Sequence, residues 1–395
     1  MDAAEGAVYR DDDQAIPAPD HMSMWIELFY DLIFVAAILI LSAAVQHVHP
    51  SDGVVWIVLV FGATWWIWFT TTVCANRFHI VDLPHRLLLV FQMLVIVLIA
   101  AEARVSVTGD STYLALEYGL LLAGVAFMYL RAARVAESSD KEIAIRLAAL
   151  NVASAVLFFV AVLLPETGRL VLCGVGLVLL VALTIIMLRG LNDFSTLDEK
   201  HLVERMGAFT LIVCGESFVE IAISVSGATF DTVDVVSLVF EFTLVFGLFT
   251  SYFEDIPAAG VNQRRFGWWA SLHLAAQICI AGTAIVASKL VDLSVSHRLP
   301  DVEILRLTAT LAILYLALAG IGACTRRRPL RQLAQARMIT AAVLAAAGLS
   351  AWRIPWIHMA EALPIFAVIV LVHTFVAAKL VARTRLIDPA ALNVR

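Results

Sequence analysis

The sequence predicts an all-α integral membrane protein of about twelve transmembrane helices, set out as two six-helix repeats in parallel orientation. Three observations carry that reading. First, of 395 residues 61% are hydrophobic and only 15% charged, with mean hydropathy +0.90. A soluble domain carries about 25% charged residues. So much apolar surface cannot be hidden in one water-soluble core, and lipid must solvate part of it. Second, apolar runs recur at even spacing, over 25–46, 54–76, 86–104, 113–131, 145–164, 170–188, 206–226, 233–253, 267–289, 305–325, 336–352 and 356–378. Each is near the ~20 residues a helix needs to cross ~30 Å of hydrocarbon. None shows the strict alternation of barrel strands. Third, with the N-terminus inside, the inner segments hold 21 Lys and Arg residues and the outer segments 6. Cationic loops stay on the cytoplasmic side, so both termini are predicted to be cytoplasmic.

Taken in order, residues 1–22, with Asp11, Asp12, Asp13, Pro17 and Pro19, read as a disordered acidic cytoplasmic tail. That stretch lacks the basic start and short apolar core of a cleaved signal peptide, so the first apolar run is expected to direct insertion. Residues 23–188 form a first six-helix unit, 189–205 a cytoplasmic connector, 206–380 a second unit and 381–395 a cytoplasmic tail. The weakest runs are the last two, around Pro355, where a re-entrant hairpin is the alternative to two full spans. Faint internal similarity supports the duplication: Phe69, Thr70 and Thr71 match Phe249, Thr250 and Ser251, Gln92 matches Gln277, and Glu27 matches Glu204. A repeat with an even number of helices keeps its orientation, which gives an axis along the membrane normal.

The candidate functional residues are the polar groups inside apolar runs. Glu27 and Asp31 lie four apart and share a helix face, as do Glu216 and Glu220. A charged side chain at a helix centre costs about 2.5–3.5 kcal/mol on insertion scales. At 1.5 Å per residue, Asp31 falls roughly 9 Å in from the cytoplasmic side, His273 and Gln92 about 10 Å, and Glu216 about 15 Å. Glu220 is one turn further out, level with Glu241 on the next helix. Glu102 and Glu117 fall near outer helix ends and His373 near an inner one. Acids and imidazoles at several depths suit a stepwise proton or cation pathway. Glu216 and Glu220, if they line one dry cavity, are expected to share a proton.

Other chemistries find less support. No H-E-x-x-H motif is present for a zinc protease, and no G-x-S-x-G for a serine hydrolase. His47, His49, His79 and His85 are scattered, and Cys74, Cys173, Cys214, Cys279 and Cys324 show no C-x-x-C spacing. No catalytic residue, cofactor or defined metal is implied. A net charge of −6, much of it in the first residues, argues against nucleic acid as a partner. The lipid bilayer is the expected partner, with a proton or monovalent cation as the candidate ligand.

The stretch Glu27–Val35, Glu-Leu-Phe-Tyr-Asp-Leu-Ile-Phe-Val, resembles the opening motif of the low temperature requirement protein A family of bacterial membrane proteins. Glu204–Ser217 resembles its second motif, and Tyr252, Phe253, Glu254 and Asp255 resemble its aromatic-acidic helix ending. Met206 stands where the family more often has Phe. The resemblance covers about residues 22–380 and implies a multi-pass protein of the bacterial inner membrane. It implies no defined activity. The placing of polar residues on the first and seventh helices is also loosely similar to the two-repeat endolysosomal potassium channels. The reading that follows is a proton- or cation-linked transporter or channel using carboxylates on helices one and seven. The alternatives are a membrane-embedded enzyme or regulator acting on lipids, and a non-transporting scaffold.

The topology is directly testable. Reporter fusions at Ser111, Pro165, Gly227 and Pro300 should report outside, and those at Ser139, Thr196 and Arg328 inside. An inside signal at Gly227 would break the twelve-helix scheme.

Overall fold

The structure, a computed structural model, describes residues 21–46, 50–78, 80, 82–108, 111–189, 197–225, 232–254, 261–294, 301–325, 331–353 and 359–387. Residues 1–20, His47, His49, His79, residues 190–196, Asp255, residues 355–358 and residues 388–395 lie outside them. So do the proposed reporter sites Thr196, Gly227, Pro300 and Arg328.

The described residues form twelve α-helices: α1 (His21–Gln46), α2 (Pro50–Phe78), α3 (Leu83–Thr108), α4 (Thr112–Val135), α5 (Ser138–Ala161), α6 (Glu166–Arg189), α7 (Glu199–Val225), α8 (Thr232–Phe253), α9 (Phe266–Ser294), α10 (Asp301–Ala323), α11 (Arg331–Arg353) and α12 (Met359–Ile387). The architecture is all-helical, in agreement with the apolar runs. Among the described residues, nine helices, α3 to α6 and α8 to α12, are long and apolar enough to cross a membrane. The last two are continuous helices of 23 and 29 residues, and Pro364 is accommodated near the start of α12. Helix α7 begins at Glu199, inside the segment expected to be a connector. Arg205 is thereby turned from a loop cation into a helical one.

Packing separates central from peripheral helices. Helix α2 is buried along most of its inner length: Trp65, Trp66, Trp68 and Phe69 are each 0–1% exposed, and Thr64, Thr70, Thr71, Thr72, Asn76 and Arg77 are buried beside them. Helix α9 buries Trp269, His273, Gln277 and Ile280. Trp65 stacks on Phe69 within α2 at 5.1 Å, and aromatic contacts tie α2 to its neighbours: Trp68 meets Phe209 of α7 at 4.4 Å, and Phe69 meets Phe266 of α9 at 6.0 Å. Such pairs add about 0.5–1.5 kcal/mol beyond the area they bury. Helix α6, by contrast, exposes Val171, Val175, Val178 and Ile186. An apolar exposed face of that kind is suited to hydrocarbon rather than water.

Buried side chains also bond backbone carbonyls and charges of neighbouring helices. Tyr129 on α4 donates to the Thr70 carbonyl (2.9 Å). Arg337 of α11, a loop cation by sequence, is buried and donates to the carbonyl oxygens of Ser251 (2.8 Å) and Leu318 (3.3 Å). Arg77 at the end of α2 pairs with Asp140 of α5 at 2.6 Å. All five cysteines are free thiols.

Where α8 crosses α12, Gly247 allows the close approach. A Cβ there would overlap the Val370 side chain. Overpacking a core typically costs 1–3 kcal/mol, so Gly247→Val should lower the thermal midpoint clearly. At Gly62 on α2 an added Cβ meets nothing within 4 Å, so Gly62→Ala should leave the midpoint unchanged or raise it. A thermal melt in detergent read by tryptophan fluorescence checks both.

Candidate functional site

The two acids of the opening motif meet two bases of α7. His201 and Arg205 are four residues apart, as Glu27 and Asp31 are, so each helix offers one face with charges one turn apart. Helices α1 and α7 pack side by side and form a ladder. His201 Nε2 lies 3.1 Å from Glu27 Oε2. Arg205 Nε lies 3.9 Å from the same oxygen, and Arg205 Nη2 lies 2.7 Å from Asp31 Oδ1. The rungs rise with residue number on both helices, so α1 and α7 run in the same direction.

Helix α2 completes the site. Trp68 Nε1 donates to Asp31 Oδ1 at 2.6 Å. That oxygen thus accepts from both a guanidinium and an indole, while Oδ2 is buried with no hydrogen-bond partner among the described residues. Asp31 itself is 0% exposed and the Arg205 side chain 9%. A buried carboxylate survives only when paired, because desolvation costs several kcal/mol per ion. Asn76 fixes the far end: its Nδ2 donates to the Asp198 carbonyl (2.8 Å) and sits 3.2 Å from His201 Nδ1. With its amide nitrogen held by that carbonyl, Asn76 acts as donor to Nδ1. In the neutral ring the proton therefore sits on Nε2, which donates to Glu27. The hydrogen bond with Glu27 draws the His201 pKa above its ordinary value, against the opposing effect of burial. A continuous path of polar groups therefore joins buried Asp31 to the start of α7.

Beside the ladder lies a small cavity of about 10 Å³, close to the space of one water. It is lined by Glu27, Tyr30, Thr71, Thr72, His201 and Arg205 among others. Beyond it, Tyr30 Oη donates to Gln92 Oε1 (2.5 Å) and Thr71 Oγ1 donates to the same oxygen (3.1 Å).

The other residues singled out by sequence are not gathered here. Glu216 and Glu220 stay on one face of α7, and both are partly exposed. Glu241 is fully buried on α8. Among the described residues no three His, Cys, Asp or Glu side chains come together as a metal site. His273 is fully buried: its Nδ1 bonds the Trp269 carbonyl (2.8 Å), and its ring packs on Trp269 (4.2 Å) and the edge of Tyr252 (5.8 Å). His373 pairs with Thr340 (2.8 Å) and packs on Tyr315. Gln277 of α9 accepts from Trp65 Nε1 (2.5 Å) and donates to Thr210 (2.9 Å).

Sequence reasoning missed the cations. His201 and Arg205 were read as connector residues, although their spacing of four repeats that of Glu27 and Asp31. Trp68 had no legible signal, since any of the seven aromatics on α2 could have reached inward.

These features define a multi-pass α-helical membrane protein with a charged seam buried between three of its helices. The chain belongs to the bacterial low temperature requirement A protein (LtrA) family, whose model matches residues 23–378. No curated protein matches it.

Removing one partner of a buried pair typically costs 3–5 kcal/mol, because the other charge is stranded. Asp31→Asn and Arg205→Gln should each lower the thermal midpoint strongly, and the double variant should recover part of the loss. Additive losses in that cycle would show that the two residues are not coupled. The His201 rung is tested by pH. A base whose folded pKa is raised contributes stability that is full below about 6.5, its unfolded value, and is lost as pH rises through the folded pKa. The midpoint difference between wild type and His201→Gln should therefore be largest near pH 6 and shrink by pH 9. A difference independent of pH would mean that His201 does not titrate against Glu27.

Proposed function

We propose that this protein is a proton- or monovalent-cation-linked transporter or channel whose working group is Asp31. One observation carries the reading. A carboxylate in the apolar run of α1, fully buried, is shared between α1, α2 and α7, with one oxygen accepting two hydrogen bonds and the other accepting none among the described residues. Ionisable groups inside membrane segments are costly and mark ion pathways, proton relays or counter-ions. Arg205 pairs with Asp31 at 2.7 Å, and uptake of a proton on Oδ2 would weaken that pair. Glu27, His201 and Asn76 then provide a short hydrogen-bonded route between Asp31 and the start of α7. Glu216, Glu220, Glu241 and His273 are placed along α7 to α9 as candidates for the remainder of the path.

The protein is read as a twelve-span component of the bacterial inner membrane, with both termini cytoplasmic and two six-helix units, 23–188 and 206–380, related by an axis along the membrane normal. Side-chain pairs at similar offsets support the duplication, though their donors differ. Tyr30 donates to Gln92, and Gln277 donates to Thr210, 180 and 185 positions later. Tyr129 of α4 reaches the Thr70 carbonyl of α2, and Tyr315 of α10 reaches the Ser251 hydroxyl of α8 at 3.1 Å. Helix α1 packs on α3 as α7 does on α9, and α4 on α5 as α10 does on α11.

Proteoliposome flux with an internal pH dye tests the function. Monovalent cations are scanned with and without a pH gradient. Wild-type protein should move protons in step with one cation, and Asp31→Asn protein that remains folded should lose at least tenfold of that rate. Wild-type flux from a folded Asp31→Asn variant would remove Asp31 from the path. Silence of wild-type protein across all ions would overturn transport itself.

A further inference from the structure

A second cavity lies far from the charged seam. It measures about 240 Å³ and is bounded by Val60 and Ala63 of α2, Leu114, Ala115 and Tyr118 of α4, Phe158 of α5, and Leu170, Cys173, Gly174 and Leu177 of α6. The lining is almost wholly apolar. Ser111 and Tyr118 are the hydroxyl-bearing members, and both hydroxyls are engaged: Ser111 Oγ donates to Glu166 (2.7 Å), and Tyr118 bonds Thr64 (2.6 Å) and the Val60 carbonyl (3.2 Å).

The cavity exists because α6 stands off from α2 and α4. An added Cβ at Gly174 would meet nothing within 4 Å, so the helix presents its smallest side chain to open space. Leu170, Cys173, Gly174 and Leu177 are each partly exposed, so the space opens along α6. Immediately beside them, Val171 and Val178 are 63% and 64% exposed. At one end sits a polar rim. Arg169 Nη1 pairs with Glu166 at 2.7 Å, Arg169 Nη2 donates to the Leu164 carbonyl (3.1 Å), and Glu166 is tied to Ser111 at the cavity wall. The rim joins the start of α4 to the start of α6, the same end of both helices.

We propose that this cavity holds one acyl chain of a bilayer phospholipid, with its zwitterionic headgroup at the Glu166–Arg169 rim. Apolar cavities of about 150 Å³ stay dry and admit apolar ligands. Here the opening faces the side that hydrocarbon covers, so an acyl chain is the apolar matter at hand. The rim carries one positive and one negative group at adjacent positions. The ammonium of a zwitterionic headgroup complements the Glu166 carboxylate, whose side chain is 39% exposed, with the Arg169 guanidinium, 10% exposed, behind it; a purely anionic headgroup would meet Glu166 first. The inference stands on α2, α4, α5 and α6 and does not depend on transport through α1 and α7.

Photo-crosslinking of the full chain tests it. The protein is reconstituted in phosphatidylethanolamine vesicles doped with a phosphatidylethanolamine that carries a diazirine in one acyl chain. Labelled peptides are mapped by mass spectrometry. Wild-type protein should be labelled at Leu114–Tyr118 and on the cavity side of α6, at Cys173 and Leu177. Gly174→Phe fills the space and should cut that labelling at least fivefold. Gly215→Phe, at another glycine with open space around it but on α7, should leave it unchanged. Should Gly174→Phe fail to fold, Ala63→Leu narrows the cavity from the opposite wall and should give a two- to threefold loss. Labelling confined to Val171, Val175 and Val178, or unaltered by the filling variants, would overturn the proposal. Equal labelling of the cavity by a diazirine alkane without a headgroup would overturn the assignment to a phospholipid.

Discussion

The structure depends first on a charge that lipid does not tolerate alone. Asp31 is fully buried in the first helix of an apolar bundle, and its neighbours are arranged to keep it there. Arg205 must come from α7, about 170 residues away in sequence, because α1 itself offers no cation. That single requirement sets α7 against α1 in parallel and in register, since a shift of one residue on either helix would carry the acids off the face opposite the bases. It also places α2 within reach, because the carboxylate oxygen takes a second hydrogen bond from Trp68. Burying one ion pair thus fixes the relative position of three helices. Hydrophobic packing between lipid-soluble helices would not do so, since lipid tails are as apolar as the helix faces they contact.

The same logic explains why the centre of the bundle is rich in groups that combine apolar bulk with one polar atom. Trp65, Trp68, Tyr30, Tyr129, Tyr252 and Tyr315 are all buried, and each can fill space while directing one hydrogen bond. In a medium without water, an unmet polar atom costs several kcal/mol. An indole or phenol therefore carries more directional information than a leucine of similar volume. Trp65 reaching Gln277 links α2 to α9 as Trp68 links α2 to α1. Helix α2 becomes the hub through its aromatic groups rather than through charge.

How much of this was legible in the sequence depended on the kind of signal. Helix number and class were legible because a span needs a long apolar run, and the runs at 25–46 through 356–378 are hard to read otherwise. The first half of the site was legible too, since Glu27 and Asp31 interrupt such a run four residues apart. Its second half was obscured by the rule used to find spans. His201, Glu204 and Arg205 raise the charge of the start of α7, so that stretch reads as connector, and Arg205 enters the count of loop cations. Arg337 was hidden in the same way. A charged residue near a helix end looks identical in sequence whether it meets solvent or a buried partner on another helix. Glu216 illustrates the converse. Its depth suggested burial, but depth along a helix does not specify which side of the helix a residue faces, and it lies on a partly exposed side.

The seam also has an asymmetry that bears on its use. If Tyr30 and Gln92 correspond to Thr210 and Gln277, the position 180 beyond Asp31 is Leu211, which is exposed and apolar. The hydrogen-bonded scaffold of α1 and α3 then recurs in α7 and α9, but the acid does not. Two equivalent acids facing each other across an axis would repel, and one would hold a proton permanently. With that acid on α1 alone, the partner is a base from the start of α7: Arg205 pairs with Asp31 across the contact between the two helices. A proton arriving at Asp31 would weaken its pair with Arg205, so the charge on one carboxylate bears directly on the contact between α1 and α7.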